Sequence, residues 1–516
     1  MKNILIIGIL IFSLSSCNTF LKEYSQGLAR VETVSDLDEL LLGEAYHQKA
    51  YYYELNLMPY LDGSPLNIFV HFMSDELRQN DNTNYGDSQG AMESMFGYFT
   101  WQRDVGINPL GTSIGVEDTD WTKIYKHINV ANMVIEELKE VDVKTDDDAT
   151  AKTRIEGEAH FLRALYYFDL VNLYAEPYTP SKAATTTGIP LKLTSYIEDK
   201  EYECSSVAEV FEQIIRDLER AEACLSETPH KSVYRADLNA TYLLLSRVYL
   251  YMQDYPNAKK YAQLVLDRNN YLTDLRTFDG TDNVFTANNG EVLFSMGGHL
   301  LSNYIYGTDD SPENYPFYIS EDLTNAFSTD DLRKIYYIRE VPGYGYAYKK
   351  IYWGRAHAGT PCSVSDNYLF RTSEAYLNLA EAAAFDSDEA TARQMLEQLQ
   401  AKRFNAAPAI TASGNALIDL IRAERQRELC LEGHRWFDLR RYMVCETYPW
   451  TKTIIHPYTE FDDMTWTATR RRVFELSPND PAYTLAFPRE VLDFQSSLNT
   501  NKRPDRLPVS SEEFEK

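Results

Sequence analysis

The stretch from Arg154 to Tyr174 places apolar side chains on two faces of one helix, and this pattern restricts the possible folds more than any other feature. Two series repeat at helical spacing: Phe161, Leu165, Phe168 and Asn172 on one face, and Leu162, Tyr166, Leu170 and Tyr174 on the other. A helix with two such faces packs between neighbours rather than on a surface. The sequence therefore predicts layers of packed helices.

Further helical patterns follow one another in pairs. They span 121–138, 205–221, 238–252, 258–265, 368–384, 389–403 and 416–431. Asp254-Tyr255-Pro256 separates one pair, and the small residues Ala258 and Ala262 allow close approach of two backbones. The pattern is typical of tetratricopeptide-like packing, although a strict repeat of about 34 residues is absent. The predicted fold is mostly α: an irregular tetratricopeptide-like solenoid of helical pairs, with a loop-rich ligand-binding portion and minor β structure.

Two long stretches, 56–115 and 270–365, lack helical periodicity. Both are rich in Gly, Asn, Asp, Pro and aromatic residues. Long irregular insertions on a rigid scaffold commonly carry binding residues. The ligand site is therefore expected on these two stretches.

The N-terminus has the pattern of an export signal. Lys2 precedes the apolar run from Ile4 to Phe12, which is too short to span a bilayer as an ordinary transmembrane helix. Leu14-Ser15-Ser16-Cys17 resembles a bacterial lipobox, which implies cleavage after residue 16 and lipid attachment to Cys17. Because no later segment approaches 18 apolar residues, this lipid would be the only membrane anchor.

Charge and cysteine content exclude some classes of protein. The chain has 77 acidic and 50 basic side chains, a net charge of −27, which argues against a nucleic-acid or anionic-lipid surface. Five cysteines follow Cys17, and their number and spacing exclude a full disulfide framework: Cys204, Cys224, Cys362, Cys430 and Cys445. Buried thiols with at most one or two disulfides are expected, and the pairing stays open.

One segment suggests catalysis, because Glu424, Glu428 and Glu432 share one helical face near His434. Several arginines lie among these carboxylates, and arginine lowers the pKa of a carboxyl group, whereas a glycosidase acid needs a raised one. A structural role is therefore predicted. The sequence lacks the H-E-x-x-H and Walker motifs. Asp81 to Gly86 departs from a calcium loop at its ligand positions, so no metal, cofactor or enzymatic activity is predicted.

Aromatic clusters on the irregular stretches are the positive sign of function. Flat rings stack on the C–H faces of sugars, while amide and guanidinium groups bond to hydroxyls. The candidate glycan-binding residues are Arg78, Asn82, Tyr85, Tyr98, Trp101, Tyr304, Tyr306, Tyr344, Tyr346 and Trp353. Trp101, Arg78 and Trp353 lead this set. Trp121 and Trp436 lie within helical motifs and are predicted to be core residues.

Several separated motifs resemble the SusD/RagB family of outer-membrane lipoproteins from Bacteroidetes. They are CNTFL (17–21), DLDELLLG (36–43), EGEAHFLRA (156–164), DLVNLY (169–174), GIPL (188–191), YLFR (368–371), AEA (380–382), ERQREL (424–429), EGHRWFDLRR (432–441) and FPREV (487–491). Their order and spacing extend over nearly the whole mature chain. Cys204 departs from the arginine common at that place in the family.

The resemblance implies a lipid-anchored, cell-surface protein with a tetratricopeptide-containing α-helical fold and no catalytic activity. It would bind a nutrient, usually an oligosaccharide, and deliver it to a SusC-like TonB-dependent transporter. The alternative is a helical-repeat interaction protein that mainly stabilises its transporter, with a peptide or other non-glycan cargo. Neither the identity of the glycan nor the choice between these functions follows from the sequence.

The expected organisation has seven parts. They are a signal peptide (1–16), a lipidated N-terminus with the first helix (17–55), a loop-rich insertion (56–115), helical pairs (116–269), a loop-rich ligand-binding insertion (270–365), C-terminal helical pairs with the family motif (366–445) and an extended C-terminal segment (446–516).

Overall fold

The computed structural model describes residues 31–46, 66–81, 85–114, 118, 120–196, 198, 201–296, 301–306, 311–351, 363–462, 464–495, 497–498 and 501–514. The predicted signal peptide and Cys17 lie outside the described residues, as do Asn82 and Trp353.

Helices dominate the described chain. Their bounds are α1 Val34–Leu40 (continued by a π turn, Leu41–Ala45), α2 Val70–Met73, α3 Tyr85–Phe99, α4 Asp120–Glu140, α5 Asp146–Tyr174, α6 Val207–Leu225, α7 Leu238–Tyr251, α8 Tyr255–Arg268, α9 Leu301–Tyr306, α10 Glu321–Ala326, α11 Arg333–Tyr336, α12 Thr372–Phe385, α13 Glu389–Gln400, α14 Asn415–Glu428, α15 Arg435–Met443 and α16 Arg489–Phe494. Each predicted helical stretch overlaps one of these helices, with ends that differ by a few residues or, for α5, by eight. The mostly helical fold with minor sheets is therefore confirmed.

Helix α5 lies between α4 and α6 and packs against both, as its two apolar faces predicted. Its second half, from Phe161 to Tyr174, is buried throughout. Gly157 permits the close approach to α6, because a Cβ atom at this position would lie 2.7 Å from Cγ of Leu225. The glycine in the EGEAHFLRA motif is thus explained by packing between two helices.

Side-chain caps fix the helix starts. Ser206 accepts a bond from the amide of Glu209, whose carboxylate bonds back to Ser206, so α6 begins as predicted. Asp254 caps α8, and Pro256 occupies its first turn. A capping box between Thr145 and Asp148 starts α5 earlier than residue 154.

Eleven strands are described, all paired antiparallel. Their bounds are β1 Leu77–Gln79, β2 Thr187–Pro190, β3 Cys204–Ser206, β4 Val292–Ser295, β5 Phe317–Ile319, β6 Ile338–Val341, β7 Gly345–Tyr348, β8 Leu369–Arg371, β9 Ile454–Phe461, β10 Ala468–Leu476 and β11 Ser510–Glu513. They form sheets in the orders β1-β5-β7-β6, β11-β10-β9, β2-β3 and β4-β8.

The four-stranded sheet joins the two irregular stretches. Strand β1 comes from 56–115, whereas β5, β6 and β7 come from 270–365. The first stretch also contains helix α3, which sequence periodicity did not reveal because its glycines interrupt the apolar pattern. Residues separated by more than 200 positions therefore meet in one sheet.

Three negative findings apply to the described residues alone. No helix there is long and apolar enough to cross a membrane. Cys204, Cys224, Cys430 and Cys445 are free thiols, and Cys362 lies outside the described residues. Within the same ranges, no group of three or more His, Cys, Asp or Glu side chains could hold a metal ion.

Candidate ligand-binding site

Residues of both irregular stretches, 56–115 and 270–365, meet on the four-stranded sheet. Arg78 of β1 pairs in register with Tyr318 of β5, and its guanidinium carbon lies 5.3 Å from the centroid of the Tyr318 ring. Nη2 of Arg78 donates a hydrogen bond to the backbone oxygen of Tyr344. The rings of Tyr318 and Tyr344 are nearly parallel, with centroids 6.0 Å apart. The guanidinium therefore links the edge strand β1 to the turn between β6 and β7, across the intervening strand β5.

The β6–β7 hairpin, here called the tyrosine hairpin (residues 338–348), carries the accessible rings. Tyr344 and Tyr346 are half-buried, whereas Tyr318 is fully buried and donates its hydroxyl to the backbone oxygen of Pro312. Nζ of Lys334 lies 5.5 Å from the ring centroid of Tyr346. Gly345 has a φ of +120° and lies against Arg78, so a side chain there would displace the guanidinium. The half-buried Tyr344 and the half-buried guanidinium of Arg78 thus lie close together. Tyr346 pairs in register with Ile319, whereas Arg78 pairs with Tyr318, so the Tyr346 side chain lies on the opposite face of the sheet.

Trp101 does not belong to this surface. Its ring is fully buried, its Nε1 donates to the backbone oxygen of Met73 at 2.9 Å, and it stacks on His456 with centroids 4.5 Å apart. The backbone at Trp101 has a φ of +52°, just after helix α3 ends. This placement corrects the expectation that Trp101 presents a ring to a sugar, because no face of the ring is open.

The other predicted residues divide between core and partly exposed positions. Tyr306 is 4% exposed, packs edge-on to Tyr315 and donates its hydroxyl to the backbone oxygen of Tyr348, so its ring is also unavailable. Tyr304 and Tyr98 are half-buried, and Tyr98 stacks on Phe69 with centroids 4.3 Å apart. Tyr85 opens helix α3, but its side chain lies outside the described part, like Asn82 and Trp353.

The carboxylates of the 424–441 segment form a buried ionic cluster. Arg333 bonds Glu424 at 2.6 Å and Glu428 at 3.1 Å, and Arg371 bonds Glu432 at 2.7 Å; all these side chains have 0% exposure. Burial alone raises the pKa of Glu424, but the charges of Arg333 and Arg427 lower it to about 2. Such a group is ionised at neutral pH and has no proton to donate. The predicted structural role of this segment is confirmed.

Two buried carboxyl groups of the described residues, Asp169 and Asp118, have a pKa in the range suited to acid catalysis. Burial raises the pKa of Asp169 to about 7, although a hydrogen bond from the Tyr368 hydroxyl at 2.7 Å opposes the shift. The cavity beside it, shared with Arg247 and His434, has a volume of only about 40 Å³. Since ligand pockets usually measure about 300–1,000 Å³, this cavity can hold water but no sugar.

A larger cavity of about 470 Å³ lies at a distinct place, between residues 103–105 and the C-terminal segment. Its volume falls in the range of small-molecule pockets. None of the predicted glycan-binding residues lines it. Sequence reasoning missed it because its basic residues are scattered among turns without a periodic pattern.

Comparisons with known proteins agree with the sequence motifs. Residues 111–250 match the model described as SusD-like, starch-binding associating with outer membrane, and residues 317–504 match the model of the SusD family. SusD-like protein P2 of Formosa agariphila is 28% identical over 215 residues, which are 40% of this chain and 39% of that relative. SusD-like protein P25 of the same organism is 24% identical over 526 residues, covering 89% of this chain and 94% of the relative.

Solved structures share the fold. A SusD-like carbohydrate-binding protein from Bacteroides vulgatus superposes with a TM-score of 0.66 over 92% of this chain and 99% of that one, at 20% identity. At this identity the likeness establishes the architecture alone.

Proposed function

Because the chain belongs to the SusD family, we propose that it is a lipid-anchored outer-membrane protein that captures an oligosaccharide for import. The lipid is attached to Cys17, the protein faces the cell exterior, and the bound glycan passes unaltered to a SusC-like TonB-dependent transporter.

The observation that carries the proposal is the guanidinium of Arg78, which bonds to the backbone oxygen of the half-buried Tyr344 beside the stacked rings of Tyr318 and Tyr344. Rings bind the apolar C–H faces of a neutral sugar, and guanidinium groups donate to its hydroxyls. Each well-placed ring contributes about 0.5–1.5 kcal/mol beyond area burial, by analogy with aromatic pairs. One or two such rings with several hydrogen bonds suit dissociation constants between about 1 μM and 1 mM, weak enough for release to a transporter.

The predicted residues Asn82 and Trp353 lie outside the described part and stay sequence-based candidates. The described residues of the proposed site are Arg78 and Tyr344, with Tyr346 on the other face of the same hairpin. Trp101 and Tyr306 are omitted because their rings are buried.

Binding without turnover is proposed because, among the described residues, no carboxyl group with a raised pKa is free beside a sugar-sized cavity: both oxygens of Asp118 accept hydrogen bonds, from Tyr174 and from the amide of Asp120. The glutamates of the 424–441 segment are paired with arginines, and Asp169 borders a cavity too small for a sugar ring. Glycoside hydrolysis needs two carboxyl groups on either side of the scissile bond.

The test is calorimetric titration of the soluble mature chain, with Cys17→Ser, against maltoheptaose, cellohexaose, xylohexaose and mannohexaose. At least one is expected to bind and to be recovered at its original length after prolonged incubation. Tyr344→Ala should weaken that binding about threefold or more, as the loss of one stacked ring requires, whereas Tyr346→Ala, on the other face of the sheet, should weaken it less. Tyr196→Ala, at a tyrosine that is 64% exposed elsewhere, is the matched control and should change nothing.

Two results would contradict the proposal. Unchanged affinity in both hairpin variants would remove the tyrosine hairpin from the site. Failure to bind any glycan, by a chain that still co-purifies with its transporter, would favour an interaction protein that stabilises the transporter and carries a peptide or other cargo.

A further inference from the structure

The 470 Å³ cavity, here called the C-terminal pocket, has an apolar wall and a charged rim. The apolar side chains come from Val105, Leu485, Phe487, Pro488 and Leu492. The charged ones come from Arg103, Asp104, Asp118, Arg489, Lys502 and Arg503. Four cations against two carboxylates form a local excess of positive charge on a chain whose net charge is −27.

Two of the four cations are already matched by carboxylates. Arg489 lies 3.3 Å from Asp104, and Arg103 lies 3.0 Å from Asp505. Both arginines are more than 60% exposed, so these pairs contribute little to stability. The positive excess therefore resides on Lys502 and Arg503.

Arg503 is a buried cation without a matching anion. Its side chain is 4% exposed, and Nη2 donates to the backbone oxygen of Ala482 at 3.2 Å. Its Nε has no hydrogen-bond partner, and no carboxylate of the described residues lies within ion-pair distance. Burial lowers the pKa of Arg503 to about 10, so the group is still charged at neutral pH. An uncompensated buried charge is costly unless an anion accompanies it.

Asp118 does not supply that anion, because both of its oxygens are used elsewhere. One accepts the hydroxyl of Tyr174 at 2.5 Å, and the other accepts the amide of Asp120 at 3.1 Å. Burial, together with the charge of Asp120, raises the pKa of Asp118 to about 7. The carboxyl group is therefore only partly ionised near neutrality.

We propose that the C-terminal pocket binds a carboxylate-bearing sugar ring, a hexuronate unit, as a second site apart from the tyrosine hairpin. The carboxylate would pair with Arg503 and Lys502, since a guanidinium and a carboxylate form short, charge-assisted hydrogen bonds. The C–H face of the ring would lie on the apolar wall at Phe487 and Pro488. This goes beyond capture of a neutral glycan, because it adds selection for acidic sugars.

The experiment is calorimetric titration of the mature chain with Cys17→Ser, using digalacturonate and its dimethyl ester as probes. The two disaccharides differ in charge but share their rings. We expect digalacturonate to bind about tenfold more tightly than the ester at low salt, and this preference to shrink as salt is raised.

Variants locate the site. Lys502→Met, at an exposed position, and Arg503→Met should each weaken digalacturonate binding about tenfold, whereas Lys144→Met removes an equal charge on a distant exposed turn and should leave it unchanged. If Arg503→Met does not fold, Lys502→Met and the salt dependence still decide the question. Tyr344→Ala should not affect digalacturonate binding. An error in the proposed role of the tyrosine hairpin can therefore be distinguished from an error in the proposed role of the C-terminal pocket.

Three outcomes would overturn the inference. They are equal affinity for digalacturonate and its ester, retention of full affinity in Lys502→Met, and displacement of digalacturonate by acetate at the same concentration as by monomeric galacturonate. The last would show that the pocket takes any carboxylate rather than a sugar.

Discussion

Arg435 donates two parallel hydrogen bonds to Asp75, from Nε to Oδ1 at 2.7 Å and from Nη2 to Oδ2 at 2.8 Å. The two residues are 360 positions apart, and Asp75 lies three residues before Arg78. Burial alone raises the pKa of Asp75, but the charges of Arg435 and Lys452 hold it well below its usual range. The 424–441 segment thus secures the start of the strand that carries the guanidinium of the proposed site.

Arg435→Met is expected to lower the free energy of unfolding by about 3–5 kcal/mol, because it leaves a buried carboxylate without its main partner. Urea denaturation of the soluble chain measures this loss. Lys139→Met, which breaks an exposed pair with Glu136, should cost less than about 1 kcal/mol. Equal effects of the two substitutions would contradict a special role for the buried pair.

Trp101→Ala should destabilise the protein by about 3–5 kcal/mol, because it empties a buried site and leaves the backbone oxygen of Met73 without its donor. Trp466→Ala, at a ring that is 53% exposed, should change stability by less than about 0.5 kcal/mol. Thermal unfolding compares the two variants. A folded Trp101→Ala protein should bind glycan as the parent does, and a selective loss of affinity would return Trp101 to the binding site.

Gly157→Ala and Gly90→Ala should shift stability in opposite directions, although both glycines lie within helices. At Gly157 the new Cβ would approach Leu225 and Cys224 within 3 Å, and such overpacking costs roughly 1–3 kcal/mol. At Gly90 nothing lies within 4 Å of the new Cβ, so reduced freedom of the unfolded chain should add about 0.4–1 kcal/mol. Chemical denaturation of both variants checks the sign of each shift.

Asp169 should make the protein more stable at pH 5 than at pH 8. Its folded pKa of about 7 lies above the value of about 3.9 expected in the unfolded chain. Between these two values the folded state keeps the proton while the unfolded state releases it, so the contribution of Asp169 to stability is lost progressively as pH rises from about 4 to 7. Of a full loss of about 4 kcal/mol, about 3 kcal/mol falls between pH 5 and pH 8.

The asparagine in Asp169→Asn cannot ionise, so this variant should lack most of the fall in unfolding free energy that Asp169 causes. The free energies of unfolding at pH 5 and pH 8 are therefore expected to differ less in this variant than in the parent. Asp142→Asn, at an exposed position after α4, serves as the control. An unchanged pH dependence in Asp169→Asn would show that Asp169 is ionised in the folded protein throughout this range.

The helical scaffold could be predicted from sequence because its signals are local. The spacing of Leu162, Tyr166 and Leu170 places them on one face whatever the rest of the chain does. Ser206 and Asp254 each start a helix, because their side chains accept a hydrogen bond from the backbone amide three residues later. The structural role of Glu424 also followed from nearby arginines, although the partner Arg333 lies 91 residues away.

The candidate site was less predictable because ring exposure depends on distant neighbours. Tyr344 and Trp101 have the same local character, an aromatic ring on an irregular stretch. Trp101 is buried because Met73 and His456, which are remote in sequence, enclose it. The register that brings Arg78 to Tyr318 depends on strand pairing across 240 residues, which no local pattern encodes.

The strand pairing of the four-stranded sheet determines which parts of the protein can fold early and which must fold late. Strand β1 at residues 77–79 pairs with residues 317–319, which in turn pair with β7 near residue 346. Pairing between such distant segments is slow, because closing the intervening loop lowers the chain entropy before stabilising contacts form. Helices α4 to α8 can assemble from neighbouring segments as the chain is synthesised, whereas the tyrosine hairpin cannot meet Arg78 until about two thirds of the chain has been made. The sheet that carries the proposed site is therefore completed late, and a product truncated before residue 317 would keep these helices without it.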